Sequence, residues 1–107
     1  MPGGYTGNIY NIDLSGGVIK QEALDEGLLR DFIGGYGLGA RLLFSRQKAE
    51  VDPLGPDNTL GIISGPITGT PLPFASRFTV VAKSPLTGTW GDSNCGGSFG
   101  PYLKFAG

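Results

Sequence analysis

Twenty glycines and eight prolines interrupt a chain of 107 residues, and their placement limits the length of every element between them. Glycine opens left-handed backbone conformations, and proline fixes φ and removes a donor. Such punctuation predicts short strands and short helices joined by tight turns. Gly plus Pro at this level can also mark low complexity. Here the glycines lie among β-branched and aromatic runs with no short repeat, which points to an ordered, turn-dense fold. The length suits one small domain or a piece of a larger one, with a modest core.

Residues 5–14, YTGNIYNIDL, read as a strand in which Tyr10, Ile12 and Leu14 keep period two, with Ile9 joining Ile12 only across a bulge. Ser15-Gly16-Gly17 is a hairpin signal and Val18-Ile19-Lys20 begins the returning strand. Residues 24–33 predict a helix with Asp25 as N-cap and an apolar stripe of Leu28, Leu29, Phe32 and Ile33. Gly34-Gly35 ends it, and a second helix is expected over 38–48. The segment 51–58, VDPLGPDN, is a loop; 59–64 and 77–83 are strands; 65–76 is irregular. Residues 84–88 form a turn, Thr89-Trp90 opens a further strand, and 91–100 reads as a glycine-rich loop. Pro101 suits the first turn of a short helix at 101–107. Apolar Leu103 and Phe105 on so short a helix need a surface to pack on, so a fragment of a longer protein is expected. The core candidates are Ile9, Ile12, Leu29, Phe32, Leu42, Ile62, Val80 and Val81. The fold class expected is α+β: a mixed or antiparallel sheet with one or two helices on one face, and glycine-rich loops gathered at one face of the sheet.

The residue inventory excludes several chemistries. One cysteine rules out an internal disulfide framework and a Cys-only metal or iron–sulfur site. The absence of histidine removes Ser-His-Asp and Cys-His catalysis. A net charge of −1 argues against nucleic acid as a partner. No apolar run approaches a membrane span, and no secretory pattern opens the chain. A reducing cytoplasm is the expected location.

The chemistry-bearing region is 65–100, where two glycine-rich loops flank a strand headed by Arg77. Asn94-Cys95-Gly96-Gly97 can present successive backbone N–H groups to an anion without a Cβ in the way. Arg77 offers a planar fork suited to phosphate, and Asn94 carries both donors and an acceptor. A phosphate-bearing organic cofactor matches this set; ordinary turns in a glycine-rich fold are the competing explanation. Cys95 reads as a small packing residue, with no histidine to activate it. Gly35-Tyr36-Gly37-Leu38-Gly39 precedes a helix but follows one too, which argues against a dinucleotide fingerprint, and the 65–70 segment lacks the Lys-Ser/Thr pair of a P-loop. The acids Asp25, Glu26, Asp52 and Asp57 fit a helix start and a turn.

In order and spacing, G7-N-I-Y-N-I-D-L-S-G-G17, F32-I-G-G-Y-G-L-G-A40, V51-D-P-L-G-P-D-N58, G65-P-I-T-G-T70, R77-F-T-V-V-A-K-S-P-L-T-G88, N94-C-G-G97 and L103-K-F-A-G107 resemble the N-terminal portion of the tungsten-containing aldehyde ferredoxin oxidoreductase family. The resemblance spans nearly the whole chain. It implies residues 1–107 as the N-terminal part of a cofactor-binding domain, half of a β-rich platform for a bis-pterin that holds tungsten or molybdenum. It implies pterin contacts from Arg77, Asn94 and Gly96, with backbone amides of Asn94, Cys95, Gly96 and Gly97 donating, and the Cys95 sulfur packing instead of ligating. Family enzymes oxidise aldehydes to carboxylic acids and pass electrons through a [4Fe-4S] cluster to ferredoxin. The cluster ligands lie in later family domains, so the chain alone is expected to be inactive. Its expected partners are the remaining enzyme domains or another copy of itself. The alternatives are a stand-alone pterin- or phosphate-binding module and an inactive, self-associating remnant.

Overall fold

The computed structural model describes residues 3–107. Its first element is a hairpin of β1 (Asn8–Asp13) and β2 (Val18–Ala23), paired without interruption from Asn8↔Ala23 to Asp13↔Val18. Asp13 closes the turn: its carboxylate accepts from the amides of Ser15 (2.9 Å) and Gly16 (3.1 Å). The regular register leaves no bulge, so Ile9 and Ile12 lie on opposite faces. β2 begins at Val18 as expected and runs to Ala23, carried by the β1 ladder. The hairpin is poorly covered: Ile12 and Ile19 stay exposed, which removes Ile12 from the core.

Helix α1 (Glu26–Phe32) starts where Asp25 accepts from the Leu28 amide at 2.9 Å. Such a cap contributes about 1 kcal/mol. The helix buries Leu29. It ends at Ile33, with φ 63° and ψ −65°, and Gly34 donates to the Phe32 carbonyl at 2.7 Å. This is a γ-turn of the rare, strained hand.

Helix α2 then begins at once, as Gly35–Arg46, three residues ahead of the expected start at 38. Its glycine-rich first turns are weak helix formers, each costing about 1 kcal/mol relative to alanine. Packing on the sheet outweighs that cost. A Cβ on Gly39 would stand 2.8 Å from Ile63 Cδ1 and 3.0 Å from Val81 Cγ1, so only glycine lets the helix approach so closely.

The platform itself is an antiparallel sheet of β3 (Gly61–Ser64), β4 (Phe78–Lys83) and β5 (Trp90–Cys95), in the order β3-β4-β5. The glycine-rich loop expected over 91–100 is therefore mostly strand and helix. β5 holds Gly, Asp, Ser and Asn, residues depleted in strands, but its backbone pairs with β4 from Phe78↔Cys95 to Lys83↔Trp90. The ladder overrides propensity there. α3 (Phe99–Phe105) follows, with Pro101 in its first turn. The core centres on Leu29 and Val81, the two largest fully buried side chains, joined by Leu38, Leu43, Val51 and Ala75. Ile62 is 44% exposed and does not belong to it, and Ile9, Phe32, Leu42 and Val80 are only partly covered.

Two sequence segments act as fasteners. The 51–58 loop is pinned to β4, where Asn58 Nδ2 donates to the Pro53 carbonyl (2.7 Å) and the Lys83 carbonyl (3.2 Å), and Lys83 Nζ donates to the Val51 carbonyl (2.7 Å). In the 65–70 loop, buried Thr68 accepts from the Gly65 amide at 3.0 Å and donates to the Arg77 carbonyl at 2.9 Å. That bond sets the start of β4. From α3, Lys104 Nζ reaches the carbonyls of Gly65 (2.9 Å) and Pro66 (2.6 Å).

Burial lowers the Lys104 ammonium below the ordinary lysine value of 10.5. The unfolded chain therefore holds this proton more tightly than the folded one, and folding stability contributed by this group rises with pH between the lowered value and 10.5. The expected result is a pH-dependent difference between the unmodified chain and Lys104→Met in urea melts. Relative to the variant, the unmodified chain gains stability as pH climbs towards about 10.5; a difference that stays flat contradicts the linkage.

Candidate functional site

Alternation along β4 places Arg77, Thr79 and Val81 on the face covered by α2. Thr79 and Val81 are buried there, and a Cβ on Gly35 would lie 3.4 Å from Thr79 Oγ1. Arg77 comes just before the strand, where α2 no longer covers the sheet, and remains exposed. Across the ladder, Asn94 sits opposite Thr79. Its amide is held at both ends: Oδ1 accepts from Arg77 Nε, and Nδ2 donates to Thr79 Oγ1 at 3.1 Å. The bond to Nε orients the guanidinium and leaves its terminal nitrogens directed elsewhere. Among the described residues no carboxylate pairs with Arg77.

Of the other three sequence candidates, only Gly96 adjoins this pair. Gly96 packs beside it, since a Cβ there would lie 3.7 Å from Arg77 Nη1 and 3.6 Å from Ser76 Oγ. Cys95 ends β5, is exposed, and makes only a weak contact from Sγ to the Gly96 carbonyl at 3.3 Å. Gly97 turns the chain with φ 92°, a left-handed conformation that disfavours any side chain, and nothing stands within 4 Å of where its Cβ would be. The structure thus brings Arg77, Asn94 and Gly96 together, whereas Cys95, opposite Phe78 in the ladder, alternates to the other face of the sheet and Gly97 stands in open space.

Sequence reasoning missed the partners that complete the patch. A depression of about 300 Å³ has Arg77, Asn94 and Thr79 among its polar lining and Ile33, Ile67 and Phe74 among its apolar lining. Gly34 and Gly35 also line it. Helix α2 opens there with no side-chain cap and no acid in its first turn. Its uncapped N–H groups and dipole add positive potential to that of Arg77. The glycine cluster at 34–39 was the available signal, since a helix entry rich in glycine exposes backbone donors. Among the described residues no group of three His, Cys, Asp or Glu side chains could hold a metal ion. Among the described residues no helix is long and apolar enough to cross a membrane.

The fold defines a class: a small α+β platform with an exposed arginine held by an asparagine at one end of its three-stranded sheet. The sequence profile described as aldehyde ferredoxin oxidoreductase, N-terminal domain, matches residues 9–107, and the chain belongs to that family. It is 47% identical over 104 residues to the tungsten-containing aldehyde ferredoxin oxidoreductase of Pyrococcus furiosus and 42% identical to that of Pyrococcus horikoshii. Both alignments cover 97% of this chain and 17% of the relative, so the chain spans about one sixth of their length. Among solved structures it is similar to a chain of the active site complex BamBC of benzoyl coenzyme A reductase in complex with 1,5-dienoyl-CoA. That superposition has a TM-score of 0.93 at 36% identity, covering 100% of this chain and 16% of the other.

Proposed function

We propose that residues 1–107 are the N-terminal part of the cofactor-binding domain of an oxidoreductase that oxidises aldehydes to carboxylic acids with ferredoxin as electron acceptor. In this reading Arg77, Asn94, Cys95, Gly96 and Gly97 hold one side of a tungsten or molybdenum bis-pterin. The observation that carries it is the Arg77–Asn94 pair, oriented by Thr79 and flanked by Gly96.

The donor set fits the group. A phosphorylated pterin needs a cationic fork and amide donors at its anionic end, and in-plane donors and acceptors at its ring. Arg77 would meet the anionic end with its terminal nitrogens. The amides of Cys95, Gly96 and Gly97 would donate to ring or phosphate oxygens, and the Cys95 sulfur is left to pack. When bound, the metal–pterin group supplies the redox chemistry, while the protein binds and orients it. A [4Fe-4S] cluster requires ligands this chain does not contain, having one cysteine and no histidine. Aldehyde oxidation and electron transfer to ferredoxin therefore belong to the larger enzyme, and the 107 residues alone are inactive.

The exposed apolar surface supports burial against further enzyme domains or another copy. Leu14, Phe44, Leu54 and Leu86, on separate segments, are each more than 80% exposed and available to such contacts. The test is metal and pterin analysis of the chain produced in a host that makes the cofactor. Tungsten or molybdenum together with oxidised, fluorescent pterin is the expected result. A folded chain carrying neither overturns the reading for these residues.

A further inference from the structure

Among the described residues three non-glycine positions have positive φ: Ile33 at 63°, Glu50 at 61° and Phe74 at 64°. Two of them, from segments far apart in sequence, line the same depression beside Arg77 and Asn94. Their conformations are costly for different local reasons. Ile33 is the centre of the γ-turn that separates α1 from α2, and a β-branched residue is poorly suited to it. Phe74 lies in the turn closed by the Ala75 amide on the Leu72 carbonyl at 3.3 Å. Pro73 fills the second position of that turn, and the third, where φ is positive, ordinarily takes glycine. The chain places a phenylalanine there and leaves it 92% exposed; Ile33 is 60% exposed. Contacts within the described residues therefore do little to offset the strain, and strained residues of this kind gather at ligand clamps.

We infer that Ile33 and Phe74 form an apolar clamp for the ring face of a planar heterocycle whose anionic end is held by Arg77. The inference rests on the cofactor reading above and extends it to two residues outside the polar patch. The depression is lined by Arg77, Thr79 and Asn94 as well as by Ile33, Ile67 and Phe74, a combination that suits a ligand both aromatic and anionic. An aromatic ring presented on a turn provides a stacking face for such a ring.

The clamp separates binding from stability. Phe74→Gly removes both ring and strain, whereas Phe74→Tyr keeps both. The probe is neopterin phosphate, titrated by its own fluorescence, with thermal melts run without ligand. Phe74→Gly is expected to bind about tenfold more weakly, as loss of one stacking partner does. It should also melt about 4–8 °C higher than the unmodified chain. Phe74→Tyr should match the unmodified chain in both. Equal binding by Phe74→Gly overturns the clamp and leaves the cofactor reading standing, as expected if the ring contacts another protein surface. A melt that does not rise also overturns it, because the turn is then unstrained. Absence of saturable binding by the unmodified chain overturns the cofactor reading and the clamp together.

Discussion

Arg77→Ala is expected to weaken binding of a phosphorylated pterin by about 10–100-fold while moving the thermal midpoint by less than about 2 °C. The two effects separate because Arg77 is exposed and its side chain has Asn94 as its protein partner. A charge-assisted bond to an anion is worth about 1.5–3 kcal/mol, and each 1.4 kcal/mol is a factor of ten. Removing the guanidinium leaves Asn94 still bonded to Thr79 at 3.1 Å, so the end of the sheet stays intact. Arg77→Lys should recover only part of the affinity, since a point charge cannot reproduce the planar fork. Fluorescence titration beside a thermal melt checks both halves. Unchanged affinity removes Arg77 from the site, and a collapsed midpoint makes it a structural residue.

Gly39→Leu is expected to destabilise the chain by about 3 kcal/mol or more, enough to unfold a marginal domain. The Cβ alone would press on Ile63 Cδ1 at 2.8 Å and on both Val81 methyls, at 3.0 and 3.2 Å, and Val81 is only 1% exposed. The end of Ile63 can swing aside; a β-branched core valine cannot. On the opposite side of the same helix, Phe44→Ala should stay within about 0.5 kcal/mol, because Phe44 is 87% exposed. Urea melts of the two variants measure the contrast. If Gly39→Leu is tolerated as well as Phe44→Ala, α2 does not dock on the sheet in this way. The consequence extends to the site, because the same docking places the N-terminus of α2 next to Thr79 and Asn94.

The parts of this architecture that follow from local chemistry were legible in the sequence. Asp25 and the apolar stripe after it gave α1, the Ser15-Gly16-Gly17 turn gave the hairpin, and the β-branched run from Phe78 gave β4. The parts imposed by tertiary pairing were not. β5 has a polar, glycine-bearing sequence and is a strand because β4 offers it a ladder. The start of α2 is glycine-rich and is nevertheless helical because the helix docks on the sheet, where Gly39 lets it approach Val81 and Ile63. Core membership failed at Ile12 and Ile62 for a related reason, since alternation identifies a face without saying what covers it. For the site, Arg77 and residues 94–97 could be grouped from glycine chemistry and the family resemblance. Thr79 as the anchor of Asn94, and Ile33 and Phe74 as strained neighbours, depend on register and on backbone angles that no spacing encodes.

The most direct test of the central claim is an amide and side-chain NMR titration of the chain with neopterin phosphate. The account predicts saturable shifts at Arg77 Nε–H, the Asn94 side-chain amide and the backbone amides of Cys95, Gly96 and Gly97. Smaller shifts should appear at Gly34 and Gly35, and the β1–β2 hairpin should be silent. Shifts centred on the hairpin and the outer face of α2, or no saturable shift at any of these positions, would contradict it.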